Sequence, residues 1–445
     1  MKRTSVRRAM AVTAIAAAAA TAAACGNGGG STSASSGSTS GSSSSGGTTT
    51  INFWVRVDNP SVGLAKQFNA THKNIHVNTT VVPDAEYVTK MAAAVRGHSG
   101  PDVADFDDIN TPLFAATGIT ENVSSYLNTL SFKSSLNQAE MGLASYKGGY
   151  YGVPYINGSS VMMYNKGLFK KAGLNPNQPP TTWAQILTDA KKISALGNGV
   201  AGFTIPGACG GCTVYTVWPL IWASGGQVMS AFGANQTTTF STSPQVTAAL
   251  KFYRELWTSG TVASKDRSEN GTTWGQAFMA GKTGILLGTP VDIPTATKNG
   301  VDVGVAPIPG ENGGYSTFVG GDELGIINGS KNVAADETFI TWMLGVKQQE
   351  YVANPWYLVP VRQDMLTSSF ASKYPIAAVG LKASEQGQVP KSIGFTAATE
   401  DANAPWVTAF EQVVFSGADP ATALKTADTN AKQILAQQYQ QQVGG

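Results

Sequence analysis

The first third of the chain alternates short apolar runs with amphipathic segments. Residues 51–57 and 103–106 are apolar runs that predict strands, and residues 75–82 alternate polar and apolar positions as a half-buried strand does. The two segments between these runs carry apolar residues at helical spacing, namely Val62, Leu64, Ala65 and Phe68, then Tyr87, Met91, Ala94 and Val95. This β-α-β-α-β order predicts a mostly parallel sheet with helices on its faces.

The centre of the chain, residues 147–169, predicts two strands joined by a polar bend. Its tyrosines and Val153 are too apolar for a surface loop, while its glycines and Pro154 disfavour a helix. Residues 161–164 form an unbroken apolar run, typical of a strand buried on both faces, and a short helix follows that ends at Gly173. A polar bend between two buried strands predicts a chain crossing between two sheets.

The second half of the chain is dominated by helical patterns. Apolar stripes predict helices near residues 182–193, 217–223, 243–260 and 336–343, and a last helix that begins at Pro420. No long internal repeat is visible.

Composition gives the size of the protein and excludes one partner class. With 445 residues, of which 42% are hydrophobic, the chain can build two domains, since single cores stop growing near ~250–300 residues. Residues 1–24 carry four basic and no acidic side chains, so their removal takes the formal net charge from +2 to −2. No net positive charge then remains that would favour nucleic acid.

The N-terminus predicts export. Residues 1–24 have a basic head, an apolar middle and small residues before Cys25, which together make a signal peptide. The spacing resembles a lipobox, with Ala22 where leucine is usual, and predicts that Cys25 is lipid-modified. A plain signal peptide is the alternative, and Arg7 with Arg8 leaves the export route open. The apolar run is too short for a confident membrane span, and a lipid would anchor the chain to the membrane. Residues 25–50 are rich in glycine, serine and threonine and predict a flexible tether.

The remaining cysteines, Cys209 and Cys212, stand in the sequence GACGGCT. In an exported chain we interpret this pair as a local disulfide rather than a redox centre. His72, His76 and His98 are scattered and offer no zinc site with them. We therefore expect neither a metal nor a cofactor.

The central stretch KGGYYGVPYINGSSVMMYNKGLF resembles a known signature, (K)LYGVP…(D/N)…xxYNKxLFKKAGL, of the extracellular solute-binding proteins of ATP-driven sugar importers. The segments GPDVADFD and YSTFVGGDELGII resemble two further family elements, and the likeness extends over nearly all of the mature chain. It implies an α/β, two-lobed periplasmic-binding-protein-like fold of type II, in which each lobe is a mostly parallel sheet flanked by helices and a hinge joins the lobes.

The resemblance also implies where the chain crosses between the lobes. The first crossing is the central stretch, the second lies near residues 301–309 and the third near residues 345–352. Lobe 1 is then expected to contain residues 51–157 and 308–347, and lobe 2 residues 158–307 and 348–445.

Sugars present hydroxyl rims and flat C–H faces, so a sugar site needs aromatic rings beside carboxylates, amides and arginine. Loops at the carboxyl ends of strands, where ligands of such sheets bind, carry several of these groups. The candidate ligand-binding residues from these positions and from the resemblance are Trp54, Arg56, Asp58, Asp107, Asp108, Tyr155, Asn157, Trp222, Trp274, Tyr315, Gly320, Gly321, Asp322, Trp356 and Arg362. Each tryptophan taken alone is more often core than ligand platform. One of Asp107 and Asp108 is nearly as well explained as a helix N-cap, and the glycine pair is expected to let ligand approach the backbone.

These features predict a monomeric substrate-binding subunit of an ABC transporter. It would be lipid-anchored at the extracellular face of the cytoplasmic membrane, capture a di- or oligosaccharide and deliver it to the permease subunits. The alternatives are a secreted carbohydrate-active hydrolase, for which Asp107, Asp108, Asp322 and Glu323 could supply a carboxylate pair ~5–10 Å apart, and a binding protein for a glycerol phosphate ester or a peptide. The chain has no hydrolase motif, and we predict no enzymatic activity.

Overall fold

A computed structural model of the protein describes residues 47–56 and 60–443. The predicted signal peptide, Cys25, nearly all of the predicted tether and Asp58 lie outside the described residues. Within the described part of the chain, no helix has the length and apolar character needed to cross a membrane.

The described residues form 14 strands, most of them short: β1 (Thr49–Val55), β2 (Ile75–Val81), β3 (Val103–Asp107), β4 (Ser145–Tyr146), β5 (Gly149–Tyr150), β6 (Val153–Asn157), β7 (Val161–Asn165), β8 (Ala201–Phe203), β9 (Thr283–Gly288), β10 (Val303–Ala306), β11 (Ile308–Pro309), β12 (Tyr315–Ser316), β13 (Gly321–Ile326) and β14 (Val359–Pro360). Strands β6, β7 and β9 are buried at every position. The continuous apolar run predicted for β7 is therefore confirmed as a strand covered on both faces.

The same residues form 18 α-helices: α1 (Pro60–Thr71), α2 (Asp84–Arg96), α3 (Thr111–Ala116), α4 (Ser124–Leu127), α5 (Gln138–Ala144), α6 (Lys166–Lys171), α7 (Trp183–Ser194), α8 (Gly210–Ala223), α9 (Pro244–Thr258), α10 (Gln276–Met279), α11 (Ile293–Lys298), α12 (Val333–Met343), α13 (Val346–Ala353), α14 (Ser368–Lys373), α15 (Pro375–Ser384), α16 (Phe395–Thr399), α17 (Pro405–Val414) and α18 (Pro420–Val443). Thr182 caps α7 by accepting the backbone N–H of Gln185, as the sequence TWAQ predicts.

The larger sheet has six strands in the order β14-β6-β13-β3-β1-β2. Strand β1 pairs in parallel with β2 and β3, as the β-α-β-α-β pattern predicts. Strand β13 lies between β3 and β6 and runs antiparallel to both, and β14 runs antiparallel to β6. The sheet is thus mixed, because only the strands joined by helical crossovers are parallel while β13 and β14 return from elsewhere in the chain.

The smaller of the two principal sheets has the order β10-β7-β9-β8. Strands β8 and β9 are parallel, whereas β7 is antiparallel to β9 and β10. The largest core cluster packs beside this sheet around Trp218 and Trp406, whose ring centroids are 5.7 Å apart. A separate cluster around Phe53, Phe68 and Phe339 packs beside the larger sheet. The predicted α/β class with two cores is confirmed. The expectation that each sheet is mostly parallel is wrong, because antiparallel pairs outnumber parallel pairs in both principal sheets.

Two chain segments join the principal sheets and lie against each other. The first, Gly158 to Ser160, runs from β6 to β7, and the second passes from β10 through Phe318 and Gly320 to β13. The N–H of Gly158 donates to the carbonyl of Gly320 over 2.5 Å, and the N–H of Phe318 donates to Ser160 Oγ over 3.1 Å. We call these paired segments the hinge ribbon.

The third crossing lies later in the chain than predicted. Residues 346–353 form α13, which packs on α1 and α12, and β14 then pairs with β6 of the larger sheet through Val359 and Asn157. The chain therefore stays with lobe 1 at least to Arg362, which forms a bridge with Leu136, and the expected crossing near residues 345–352 and the lobe boundary at residue 348 are wrong. The short α13 looked like a connection because strand β14 has only two residues and gives no periodic signal.

Candidate functional site

A cleft with a volume of about 540 Å³ lies between the two principal sheets, next to the hinge ribbon. The larger sheet supplies residues at the end of β1, the end of β3 and the start of β13, which is the edge where such sheets bind ligands. The opposite side is formed by the first turns of α8, the segment before α10, the residues after β9 and the residue after α16. Eight predicted site residues line this cleft: Arg56, Asp107, Asp108, Trp274, Gly320, Gly321, Asp322 and Trp356.

Arg56 ties three strand ends together on the lobe 1 side. Its Nε lies 2.6 Å from Asp322 Oδ1, and one terminal nitrogen lies 3.2 Å from Asp107 Oδ2. Asp107 also accepts the backbone N–H of Ile109 over 3.2 Å and thereby caps the 3-10 turn Asp108–Asn110. Asp107 therefore caps this turn and also lines the cleft. The helix expected to receive the cap, α3, begins after Asn110 without a side-chain cap, so the capping alternative is only partly right.

Carboxyl groups are buried behind this edge. Asp108 and Glu323 are fully buried, and Glu140 is nearly so. Burial raises the pKa of all three carboxyls, to about 8 for Glu323, although Thr111 Oγ1 donates to Glu323 over 2.9 Å and opposes the rise. The Glu323 carboxyl is therefore largely protonated in the folded protein at neutral pH. Within the described residues, no set of His, Cys, Asp and Glu forms a metal-binding group.

The buried Glu323 predicts stability that declines with rising pH. An unfolded glutamate has a pKa of about 4.3, so between that pH and about 8 the folded protein holds a proton that the unfolded chain has released. The contribution of Glu323 to the free energy of unfolding then falls as pH rises through this window, by up to ~1.4 kcal/mol per pH unit for one proton. We expect Glu323→Gln to make this dependence shallower in urea unfolding at pH 5.5 and 7.5. The exposed Glu121→Gln is the control, and an unchanged slope in the Glu323 variant would contradict the assignment.

Aromatic rings form one wall of the cleft. The ring of Tyr215, on α8, lies edge-on to Trp274 at 6.5 Å and tilted to Phe318 at 5.8 Å, between ring centroids. Trp222 packs behind Phe318 at 5.9 Å, so it supports the wall and does not line it. The indole N–H groups of Trp274 and Trp356 have no hydrogen-bond partner among the described residues. This wall offers apolar faces and two free donors to a bound molecule.

Glu400 is a cleft residue that the sequence analysis missed. It follows α16, accepts a hydrogen bond from Thr396 Oγ1 over 3.0 Å, and stands beside the first turn of α8, where a Cβ on Gly211 would lie 3.5 Å from its Oε1. Burial and the charge of Asp107 raise the pKa of Glu400 to about 7. Tyr215 and Phe318 were also missed, because no local pattern marks residues brought together by long-range packing.

The predicted disulfide between Cys209 and Cys212 is present. It closes the first turn of α8, and Cys212 itself lines the cleft beside Gly211. The bond therefore stiffens a cleft wall.

Several predicted site residues lie away from the cleft, each for a packing reason. Trp54 packs against the cluster around Tyr87 and Met91, because alternate side chains of β1 point to opposite faces. Tyr155 is fully buried in the lobe 1 core. Asn157 is buried and accepts the N–H of Ser159 over 2.9 Å, which fixes the start of the hinge ribbon.

Two more candidates are corrected in the same way. Tyr315 lies on β12, in the small sheet with β11, and does not line the cleft. Arg362 forms an ion pair with Asp364 at 2.6 Å and lies 4.2 Å from the ring centroid of Phe132. Its positive charge is therefore paired within lobe 1 and does not face the cleft.

The fold and the cleft define a two-lobed α/β binding protein. The family model of bacterial extracellular solute-binding proteins matches residues 59–350, and the chain belongs to this family. The predicted family and two-lobed fold are thereby confirmed.

Individual relatives are distant. A Brucella abortus protein is 28% identical over 271 residues, which span 60% of this chain and 64% of that relative, less than two thirds of its length. The diacetylchitobiose binding protein DasA of Streptomyces coelicolor is 26% identical over 401 residues, covering 87% of this chain and 90% of DasA. The solved structure of the sugar-binding protein MalE from Xanthomonas citri superimposes with a TM-score of 0.77 at 20% identity, over 87% of this chain and 98% of MalE.

Proposed function

We propose that the protein is the substrate-binding subunit of an ABC transporter, which captures a di- or oligosaccharide outside the membrane and delivers it to the permease. The observation that carries this proposal is the aromatic wall of Trp274, Tyr215 and Phe318 facing a polar strand edge across one cleft. Its volume of about 540 Å³ is within the ~300–1,000 Å³ of small-molecule sites. The name of DasA, a diacetylchitobiose binding protein, supports the same ligand class.

The chemistry of the cleft suits a polyhydroxylated ligand. Indole and phenol rings stack on the C–H faces of a sugar, and the free indole N–H groups of Trp274 and Trp356 can donate to its oxygens. The carboxylates of Asp107 and Asp322 can accept from hydroxyls while Arg56 holds them in place. We propose that the lobes close about the hinge ribbon, so that the ligand loses its water only when these partners replace it.

The geometry argues against an anionic solute such as a glycerol phosphate ester. Arg56 is the one cationic side chain among the described residues that line the cleft, and it is already bonded to two carboxylates. The first turn of α8 could otherwise attract a phosphate, but Glu400 stands beside it. An anion would meet more negative than positive charge.

We further propose that Cys25 carries a lipid, that residues 26–50 tether the folded body to the outer face of the membrane, and that the protein acts as a monomer. A basic, then apolar, leader ending in small residues before Cys25 supports the first two points.

Titration of the purified protein with a panel of mono-, di- and oligosaccharides tests the function. We expect at least one sugar to change tryptophan fluorescence and to raise the melting temperature, since a ligand at 100 times its Kd adds about 2.7 kcal/mol to the free energy of unfolding. Glycerol 3-phosphate serves as the control and should have no effect. Flat responses to every sugar would contradict the proposal, and release of shorter sugars, detected by chromatography, would favour the hydrolase alternative.

A further inference from the structure

The cleft carries an excess of acidic groups. Four carboxyl side chains line it, from Asp107, Asp108, Asp322 and Glu400, against the single guanidinium of Arg56 among the described lining residues. A neutral sugar needs acceptors, but it does not need this surplus of carboxyl groups, which cost free energy to desolvate when the cleft closes.

Within the described residues, two of these four groups lack a cationic partner. Arg56 is bonded to Asp107 and Asp322 and is exposed over only 23% of its side chain. Asp108 is fully buried at the cleft, and neither of its carboxyl oxygens has a hydrogen-bond partner in the described part of the chain. Glu400 approaches from the opposite lobe and, among the side chains that the structure describes, is held by the hydroxyl of Thr396 alone. Unpartnered buried polar atoms of this kind are rare in native structures and call for an explanation.

We propose that the cleft selects a saccharide bearing a protonated amine, that is, an amino sugar, and that its ammonium group binds between Glu400 of one lobe and the Asp107–Asp108 edge of the other. An ammonium has three donors and no acceptor, so it matches a set of carboxyl acceptors that hydroxyls only partly satisfy. Charge-assisted hydrogen bonds are roughly twice as strong as neutral ones. This inference rests on the proposed carbohydrate function and narrows its substrate class.

The same arrangement links binding to protons. Burial is the main cause that raises the pKa of Glu400 to about 7, and the negative charges of Asp107 and Asp401 raise it further while the hydrogen bond from Thr396 lowers it. A bound ammonium favours the charged carboxylate, so binding releases a proton from Glu400. Lowering the pH from 7 to 6 should then weaken amino-sugar binding about fivefold, although the amine itself is more fully protonated at pH 6.

Three disaccharides that differ only in the group at C2 provide the test: chitobiose with amines, cellobiose with hydroxyls and N,N′-diacetylchitobiose with acetamides, together with their monosaccharides. Isothermal titration at pH 6 and 7 with the full mature chain should show the amine form binding at least tenfold more tightly than both matched forms at pH 7. Glu400→Gln should reduce this preference to threefold or less. Asp401→Asn, which changes the adjacent exposed carboxylate outside the cleft lining, should keep it.

Neutral forms that bind as tightly as the amine, or an amine preference unchanged in Glu400→Gln, would overturn the inference and leave the carbohydrate function intact. Binding of no sugar in these series or in the wider panel would overturn both.

Discussion

Gly321→Ala is expected to lower the free energy of unfolding by about 3 kcal/mol, the upper end of the usual cost of overpacking. A Cβ at this position would lie 1.9 Å from the carbonyl oxygen of Ile156 and 3.1 Å from the nitrogen of Gly158. Both are backbone atoms, which cannot rotate away as a side chain does. Gly321 also opens strand β13 opposite Asn157, so a shift there would break the pairing of β13 with β6 and disturb the hinge ribbon. Urea unfolding followed by far-UV circular dichroism measures the loss.

Gly142→Ala is the matched control. Gly142 lies on an exposed position of α5, and a Cβ there meets no atom within 4 Å. Alanine is favoured over glycine in a helix by roughly 0.5–1 kcal/mol, so this variant should be neutral or slightly more stable. Equal stability of the Gly321 variant and the wild type would show that β13 and β6 tolerate separation, and would refute the close-packing role given to Gly321.

Trp274→Ala is expected to weaken binding of the preferred sugar by about 2 kcal/mol, or roughly 30-fold in Kd, as for an aromatic anchor at the centre of an interface. The indole lines the cleft, contacts Tyr215 edge-on and presents a free N–H group. The substitution removes both a stacking face and a donor. Isothermal titration with the best sugar of the panel measures the change, and the melting temperature without ligand shows whether the fold is retained.

Trp342→Ala controls for the loss of a large ring away from the cleft. Trp342 packs on Phe68 of lobe 1, with ring centroids 5.4 Å apart, and does not line the cleft. Its replacement should lower the melting temperature without ligand and leave Kd within twofold of the wild type. Should the Trp274 variant bind as the wild type does, the aromatic wall could not be the sugar platform.

Local patterns predicted the fold well, because its first five elements follow strictly from hydrophobic periodicity. The bounds of strands β1, β2 and β3 lie within two residues of those predicted, and the crossing between β6 and β7 was visible as a polar bend. The disulfide followed from two cysteines in an exported chain. These features depend on short-range sequence, where propensity and burial agree.

Long-range placement could not be predicted in the same way. The insertion of β13 between β3 and β6 joins segments more than 150 residues apart, and two-residue β14 has no pattern at all. Part of the proposed site depends on such placement. Arg56 and Asp107 were found because they follow strands, whereas Glu400 follows a helix of five residues with no distinguishing motif.

Tryptophans were the least predictable candidates. Trp54, Trp222 and Trp274 look alike in sequence, since each stands beside an apolar segment. Only their packing distinguishes them. Trp54 packs against the helix face of lobe 1, Trp222 supports Phe318 from behind, and Trp274 faces the cleft. Residue type and position predict that tryptophan side chains line this cleft, but they do not predict which tryptophans do so.

The pairing of Gly158 with Gly320 and of Ser160 with Phe318 limits how the halves of the molecule can move. Two hydrogen-bonded backbone segments that run side by side can bend about a common axis but resist twisting about their long direction. We therefore expect the lobes to open by rotation about one axis, with the largest displacement at the edge of the cleft farthest from the hinge ribbon. Pulsed electron paramagnetic resonance measures the distance between two spin labels placed on opposite edges of the cleft. The distances in the empty and the ligand-bound protein should then both fit rotation about this one axis.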